Sequence, residues 1–220
     1  MINMVENETL RRNARAQLGN NIFDKTWLMA TLVLFIYSAI VGAAAGTILS
    51  IAAFVVAGPL LFGVNRICVG IVMGKREIEI EKMFVGFKEC FTQSLVLYLM
   101  TGLYTFLWSL LFVVPGIVKS YSYAMAPYIL QDDPSLEWDE CLEKSKEMMK
   151  GNKWQLFELD LSFLGWYLVG ALCFGVGVFF VNPYSAVARA NFYLALKAQN
   201  EPPFTGDGTD GYEPVDPFAN

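Results

Sequence analysis

The feature that most constrains the fold is an apolar run over residues 27–73, in which Arg66 is the one charged residue. This run is too long for a single transmembrane helix, because about 20 helical residues cross a ~30 Å hydrocarbon core. We therefore predict a helical hairpin. Its turn is placed near Gly42–Gly46 rather than at Gly58-Pro59, so that Pro59 becomes a kink in the second helix.

Two further hairpins follow from the same pattern. Charged segments separate three apolar regions, and turn signals divide the second region at Pro115-Gly116 and the third at Asn182-Pro183. The return legs of these two hairpins have only about 15 residues, or ~23 Å of helix, so they are short enough to tilt or to be re-entrant. The predicted fold is an all-α polytopic membrane bundle of about six spans, at residues 27–46, 48–73, 93–114, 116–131, 154–181 and 183–198.

Composition narrows the functional classes. The chain is 55% hydrophobic and 17% charged, with a mean hydropathy of +0.42, whereas soluble domains are ~25% charged. These values exclude an ordinary cytosolic domain and a disordered chain. The sequence has no histidine, no P-loop and no GxSxG or HExxH motif, so the usual general bases, zinc ligands and hydrolytic nucleophiles lack a candidate. We predict no enzymatic activity, no cofactor and no metal site.

The positions of Lys and Arg predict the orientation. Basic clusters precede each hairpin, at residues 11–25, 75–88 and 144–153, and the opposite turns carry almost none. Because basic loops stay in the cytoplasm, both termini are predicted to be cytoplasmic. The predicted organisation is a cytoplasmic amphipathic segment at 1–25, a membrane domain at 26–198 and a disordered acidic cytoplasmic tail at 199–220.

Amphipathic segments lie at residues 79–91 and 134–150. The second is predicted to be a helix with Asp133 as N-cap, Pro134 as its first residue and Gly151 as terminator. Its apolar stripe either lies on the inner leaflet or its own bundle, or forms a docking surface for a partner protein. The candidate interface residues are Trp138, Leu142, Met148 and Met149.

The same layout suggests an internal repeat. Each amphipathic segment precedes a hairpin and has a glycine near its end, namely Gly19, Gly86 and Gly151, at intervals of 67 and 65 residues. Three parallel repeats around an axis along the membrane normal would explain this spacing. The intervals of 56 and 68 residues between the prolines of the return legs are less regular, so coincidence is the alternative.

Four charges fall inside the predicted spans: Arg66, Glu158, Asp160 and Arg189. Counting along the helices places all four at similar depths on the cytoplasmic side. One interpretation is mutual neutralisation, because an unpaired charge at this depth is costly. The other is a polar cavity in which the two arginines hold an anionic headgroup or solute.

Several stretches resemble a known family. They are residues 107–125, which contain the sequence PGIVKSYSY, residues 145–154 (Ser-x-x-Met-Met-x-Gly-Asn-Lys-Trp), residues 161–166 (LSFLGW) and Pro183-Tyr184. They resemble the bacterial membrane-protein family known as domain of unknown function 975. The resemblance covers roughly residues 7–198 and implies a multi-span plasma-membrane protein of mainly Gram-positive bacteria. It implies no activity.

These observations favour a non-enzymatic accessory or scaffold protein of the bacterial plasma membrane, with membrane lipids or a membrane protein as partners and no nucleic acid. The alternative is a small permease, or the membrane component of a transporter, for an anionic or amphiphilic solute that passes Arg66 and Arg189. An intramembrane enzyme that uses Glu158 or Asp160 is the least favoured hypothesis. A water-filled cavity would favour transport, and a dry bundle with an exposed groove would favour binding.

Overall fold

A computed structural model of the chain describes residues 6–19, 24–43, 50–75, 78–111, 113–172 and 176–200. Within these ranges every regular element is helical, as predicted. The tail was predicted at 199–220, but residues 199–200 belong to the last helix and the remainder lies outside the described residues. Of the turn predicted near Gly42–Gly46, Gly42 and Ala43 end a helix and residues 44–46 lie outside the described residues. The helices are α1 (Asn7–Leu18), α2 (Lys25–Ala43), α3 (Ser50–Val72), a 3-10 turn (Ile80–Phe84), α4 (Val85–Glu89), α5 (Phe91–Leu111), α6 (Val113–Tyr123), α7 (Ala126–Asp132), α8 (Trp138–Met148), α9 (Lys153–Leu172) and α10 (Val176–Asn200).

The helices follow one another as three units, each an amphipathic segment and a helical hairpin. The first unit is α1 with α2 and α3, the second is the segment Ile80–Glu89 with α5, α6 and α7, and the third is α8 with α9 and α10. The two legs of each hairpin pack on each other. The helix order therefore has the threefold layout that the sequence spacing suggested.

The three units are interleaved rather than side by side. The amphipathic segment of the second unit packs on α3 of the first, α8 of the third packs on α6 and α7 of the second, and α1 packs on α10. Gln17 of α1 and Asn191 of α10 fix this last contact, because each side-chain amide donates to the other, at 3.1 and 2.7 Å. Each amphipathic segment thus covers the return leg of another unit.

Two glycines allow the second amphipathic segment to touch α3 directly. A Cβ on Gly63 would lie 2.0 Å from the Met83 carbonyl oxygen, and one on Gly86 would lie 2.3 Å from that of Pro59. Gly19 and Gly151 instead have positive φ angles of 106° and 84°, which favour glycine at a turn. The three regularly spaced glycines therefore serve two purposes, close approach at Gly86 and chain reversal at the others.

The contacts divide the bundle into two regions. We define the base region as α1, the segment Ile80–Glu89, α7, α8 and residues 60–72 of α3 and 186–200 of α10. The hairpin region comprises the other helices and the first parts of α3 and α10. The base region contains most of the closely packed core, in which the rings of Tyr128 and Tyr193 stack at 5.2 Å. Its fully buried side chains include Leu10, Leu18, Leu60, Met83, Met149, Phe192 and Leu196.

Two predicted boundaries in the later hairpins differ from the structure. α10 begins at Val176 and continues through Pro183, so its connection to α9 precedes the predicted turn at Asn182-Pro183. In the second hairpin, α6 begins at Val113 and therefore holds Pro115 in its first turn, where a missing N–H leaves no intrahelical bond unmade. Pro115 therefore lies at the start of a helix, whereas Pro183 lies inside one.

The start of α8 also differs from the prediction. The helix begins at Trp138, where Glu137 and Glu140 form a capping box, so the expected cap at Asp133 is wrong. Asp133 instead accepts hydrogen bonds from the backbone N–H, at 3.1 Å, and the hydroxyl of Ser135. These bonds hold the pKa of the Asp133 carboxyl below its ordinary value.

By length and composition, one helix of the described chain is suited to cross a membrane: Val55–Val72, of which 72% is buried inside the structure. A second candidate forms only if the segments Ile80–Glu89 and Phe91–Leu110, bent by 92° at their junction, are counted together. The second half of α3 lies at the centre of the base region, so most of its residues are apolar because they are buried in the protein core.

Candidate functional site

The structure brings together two of the four charges predicted to form an intramembrane network. Arg189 of α10 donates to Asp160 of α9 through Nε and Nη2, at 2.9 and 2.6 Å. The hydroxyl of Tyr121, from α6, donates to the same carboxylate at 3.0 Å. Asp160 is thus held by a guanidinium and a phenol, and this cluster joins three helices from two units.

Arg66 and Glu158 do not belong to this cluster. Arg66 pairs with Glu89, and Glu158 accepts a hydrogen bond from the indole of Trp154 at 2.6 Å. The depth count from the sequence assumed that α3 leaves the membrane near Lys75. The charged segment Ile80–Glu89 instead folds back along α3, so it reaches Arg66. Glu158 diverges from Asp160 because two helical positions differ by about 200°.

The polar face of α10 extends from Arg189 toward its C-terminus. Tyr193 and Lys197 follow at four-residue intervals, which places them on the same face. Both donate to Asp132 at the end of α7, the hydroxyl at 2.7 Å and the ammonium at 2.6 Å. Each of the two cations on this face therefore holds a carboxylate of its own chain.

The apolar stripe of α8, predicted as a possible partner surface, packs against its own bundle. Leu142 and Met149 are 3% and 0% exposed, and Met148 lies partly buried against the core. The Trp138 ring stacks on Tyr104 with centroids 6.4 Å apart. This arrangement agrees with the interpretation in which the stripe packs on its own bundle, because α5, α6 and α7 cover it.

A serine fixes the register of that contact. The hydroxyl of Ser145 donates to the Ser122 carbonyl at 2.8 Å and accepts from the Met125 backbone N–H at 3.2 Å. Because the chain leaves helical geometry between α6 and α7, these are the backbone groups that most need a partner. Ser145 is completely buried, so this contact is part of the core of the base region.

The described cysteines offer no reactive site. Cys68, Cys90 and Cys141 are buried and free, and burial raises the pKa of Cys90 and of Cys141 to about 11. Both therefore remain thiols at neutral pH and are poor nucleophiles. Over the parts of the chain that the structure describes, no group of three His, Cys, Asp or Glu side chains is arranged to hold a metal ion.

Sequence reasoning missed a groove between α3, α5 and α7. It encloses about 460 Å³, and its walls are mostly apolar, with Leu61, Phe62, Leu97, Phe106, Pro127 and Leu130 among them. One wall differs, because α5 contributes a row of hydroxyl side chains. These are Ser94, Tyr98, Thr101, Thr105 and Ser109. Their spacing of four, three, four and four residues keeps them on one helix face.

Close contacts bound this groove at both ends. A Cβ on Gly58 would lie 2.9 Å from the Ser94 carbonyl oxygen, and one on Gly116 would lie 2.1 Å from the Ser109 hydroxyl. The hydroxyls of the two end serines donate to carbonyls of α5 itself. Between them, the hydroxyl oxygen of Thr101 is buried and makes no hydrogen bond to any described residue.

The hairpin region exposes large apolar side chains on its outer faces. On α9, Trp166, Leu168 and Leu172 are 57, 61 and 84% exposed. On α5 and α6 the largest exposures are those of Phe106, Leu110 and Val114, at 63, 75 and 70%. Contiguous exposed apolar surfaces of this kind mark an interaction with a membrane or another protein.

The chain matches the model of the family described as "Protein of unknown function (DUF975)" over residues 4–122 and 110–200. It belongs to this family. No curated protein and no solved structure matches it. The resemblance seen in the sequence is thereby confirmed, and because the description of DUF975 carries no activity, functional inference rests on the geometry.

Proposed function

We propose that this DUF975 protein is a non-enzymatic accessory protein of the bacterial plasma membrane that binds membrane lipid. Its hairpin region would lie in the bilayer as six helical segments, with the base region and both termini at the cytoplasmic face. The short leg α6 would enter the bilayer only in part, because it has 11 residues and so spans about 16 Å.

The observation that carries this proposal is the apolar exposure of the hairpin region. Leu172 and Leu110 are exposed by 84 and 75%, and covering such surfaces is worth about 25 cal/mol per Å². The faces of α9 that carry Leu161, Leu164, Trp166 and Leu168 are 49–61% exposed, opposite the buried face of Leu156, Leu159, Phe163 and Gly170. A surrounding bilayer would cover all these faces at once, whereas a single protein partner would cover one side.

The orientation is supported by the base region. Each of the three amphipathic segments packs on a return leg and carries basic residues, among them Arg11, Arg15, Lys82, Lys88 and Lys146. Basic segments beside membrane helices remain in the cytoplasm. The same segments would meet the anionic headgroups of the inner leaflet.

Transport of an anion is the less favoured function. It required Arg66 and Arg189 to be available to a solute, but each is paired with a carboxylate, Glu89 and Asp160 respectively. Binding an anion would first have to break these pairs. Lipid binding needs no such rearrangement.

Membrane placement and orientation can be tested by cysteine accessibility. Single cysteines at Glu79, Glu140 or Thr205, in a chain whose native cysteines are replaced, should react with a membrane-impermeant maleimide only in inverted vesicles. The matched control retains only the native Cys173, in the connection between α9 and α10, and should react from outside intact cells. Labelling at Glu140 from outside, or release of the chain from membranes by alkaline carbonate, would contradict the proposal.

A further inference from the structure

We infer that the groove between α3, α5 and α7 holds one acyl chain of a membrane phospholipid. This inference rests on the proposed function and assigns the site at which lipid is bound. The groove volume of about 460 Å³ falls within the ~300–1,000 Å³ typical of ligand sites.

The dimensions of the groove fit an extended chain. From Ser94 to Ser109 it follows α5 for about 22 Å at helical rise, which exceeds half of the ~30 Å hydrocarbon core. One leaflet's acyl chain can therefore lie along it. The end at Ser94 adjoins the charged segment Ile80–Glu89, where a headgroup would remain hydrated.

The groove is continuous with the surface that the bilayer is proposed to cover. Phe106 lines it and is 63% exposed, and the neighbouring Leu103 and Leu107 are about half exposed. A lipid can therefore enter sideways from the bilayer. The acidic tail of the chain is a poor occupant, because none of the described residues that line the groove is Lys or Arg.

The test fills the groove at Gly102. This glycine lines it, and a Cβ there would meet nothing within 4 Å, so Gly102→Leu adds a side chain without a backbone clash. The control is Gly165→Leu, because Gly165 is also an exposed helical glycine with open space around its Cβ but lies on α9, away from the groove. The full chain is reconstituted in phosphatidylglycerol–phosphatidylethanolamine vesicles that contain a phospholipid with a diazirine in one acyl chain, and crosslinked peptides are identified by mass spectrometry.

The expected result is that crosslinks concentrate on α5 between Leu97 and Phe106. Gly102→Leu should reduce them at least fivefold, whereas Gly165→Leu should leave them unchanged. Equal crosslinking of the outer faces of α5 and α9, insensitive to Gly102→Leu, would mean annular lipid only and would overturn the inference. If crosslinking is insensitive to Gly102→Leu while the chain remains in the membrane, the assignment of the groove is wrong but the proposed membrane function stands.

Discussion

The base region, which includes the amphipathic helices α1 and α8, and the more apolar hairpin region differ in what covers their apolar faces. In the base region, the apolar stripes of α1 and α8 pack on return legs of other units, with Leu10 and Met149 both completely buried. In the hairpin region, the faces of α5 and α9 that carry Leu110 and Leu172 face away from the protein. In the base region the chain buries its own apolar side chains. In the hairpin region the surroundings must cover them.

Polar contacts between helices occur in both regions. The base region contains the reciprocal amide pair of Gln17 and Asn191. In the hairpin region, the indole of Trp27 donates to the Phe180 carbonyl at 3.2 Å. The two regions therefore differ in the burial of their apolar side chains, and substitutions of those side chains should have different consequences.

The largest expected effect is at Met149. Met149→Ala removes a fully buried side chain from the base region, and such truncations cost about 2–5 kcal/mol. Its matched control, Leu172→Ala, truncates a side chain that is 84% exposed and should change the free energy of unfolding by no more than about 0.5 kcal/mol. Both are measured by denaturant titration in a mild detergent. Similar losses for the two variants would remove the distinction between the regions.

A smaller but still large effect is expected at Gly63. Gly63→Ala places a Cβ against the backbone of Met83 and should destabilise the base region by about 1–3 kcal/mol. Gly165→Ala meets nothing within 4 Å and should be neutral or stabilising by up to about 1 kcal/mol, because alanine favours helix more than glycine does. Thermal unfolding followed by circular dichroism gives both values. A neutral Gly63→Ala variant would show that the contact between the 3-10 turn and α3 is not close.

The smallest effects concern the ion pairs. Removing either Asp160 or Arg189 should cost about 1–2 kcal/mol, less than the ~3–5 kcal/mol of a fully buried pair, because their side chains are 19 and 47% exposed. Arg66 and Glu89 are 40 and 46% exposed, so their pair should contribute about 0–1 kcal/mol. Double-mutant cycles measure both coupling energies. Coupling between Arg66 and Asp160 would instead restore the single network predicted from the sequence.

The hairpins and the amphipathic segments were predictable because their signals are local. Apolar runs, turn residues and the 3.6-residue spacing that includes Leu142 and Met149 are all read within one segment. The stripe on α8 was recognised, but the sequence left open whether its own bundle, the inner leaflet or a partner covers it, since a helical pattern identifies an apolar face without identifying what covers it. That information resides in α6 and α7, which lie earlier in the chain.

The charge network could not be predicted, because its depth depended on tertiary structure. Arg66 was counted from Lys75 along α3, a procedure that ignores the return of the chain over Pro59 and Gly63. The groove was missed for a related reason. A row of hydroxyls such as Ser94, Thr101 and Ser109 resembles side chains bonded to their own helix, and two of these three are. Thr101 differs from the two serines because its hydroxyl oxygen is buried without a hydrogen bond to any described residue. This difference becomes visible only when α3 and α7 are packed against α5.

The contact between α1 and α10 can form only late in synthesis, after α10 has been made. Gln17 and Asn191 are separated by 174 residues, so at about 5–20 residues per second the first helix waits roughly 10–35 s for its partner to leave the ribosome. During that interval the apolar face of α1 needs another cover, such as the membrane surface. A chain that ends early, before α10, would keep this face uncovered.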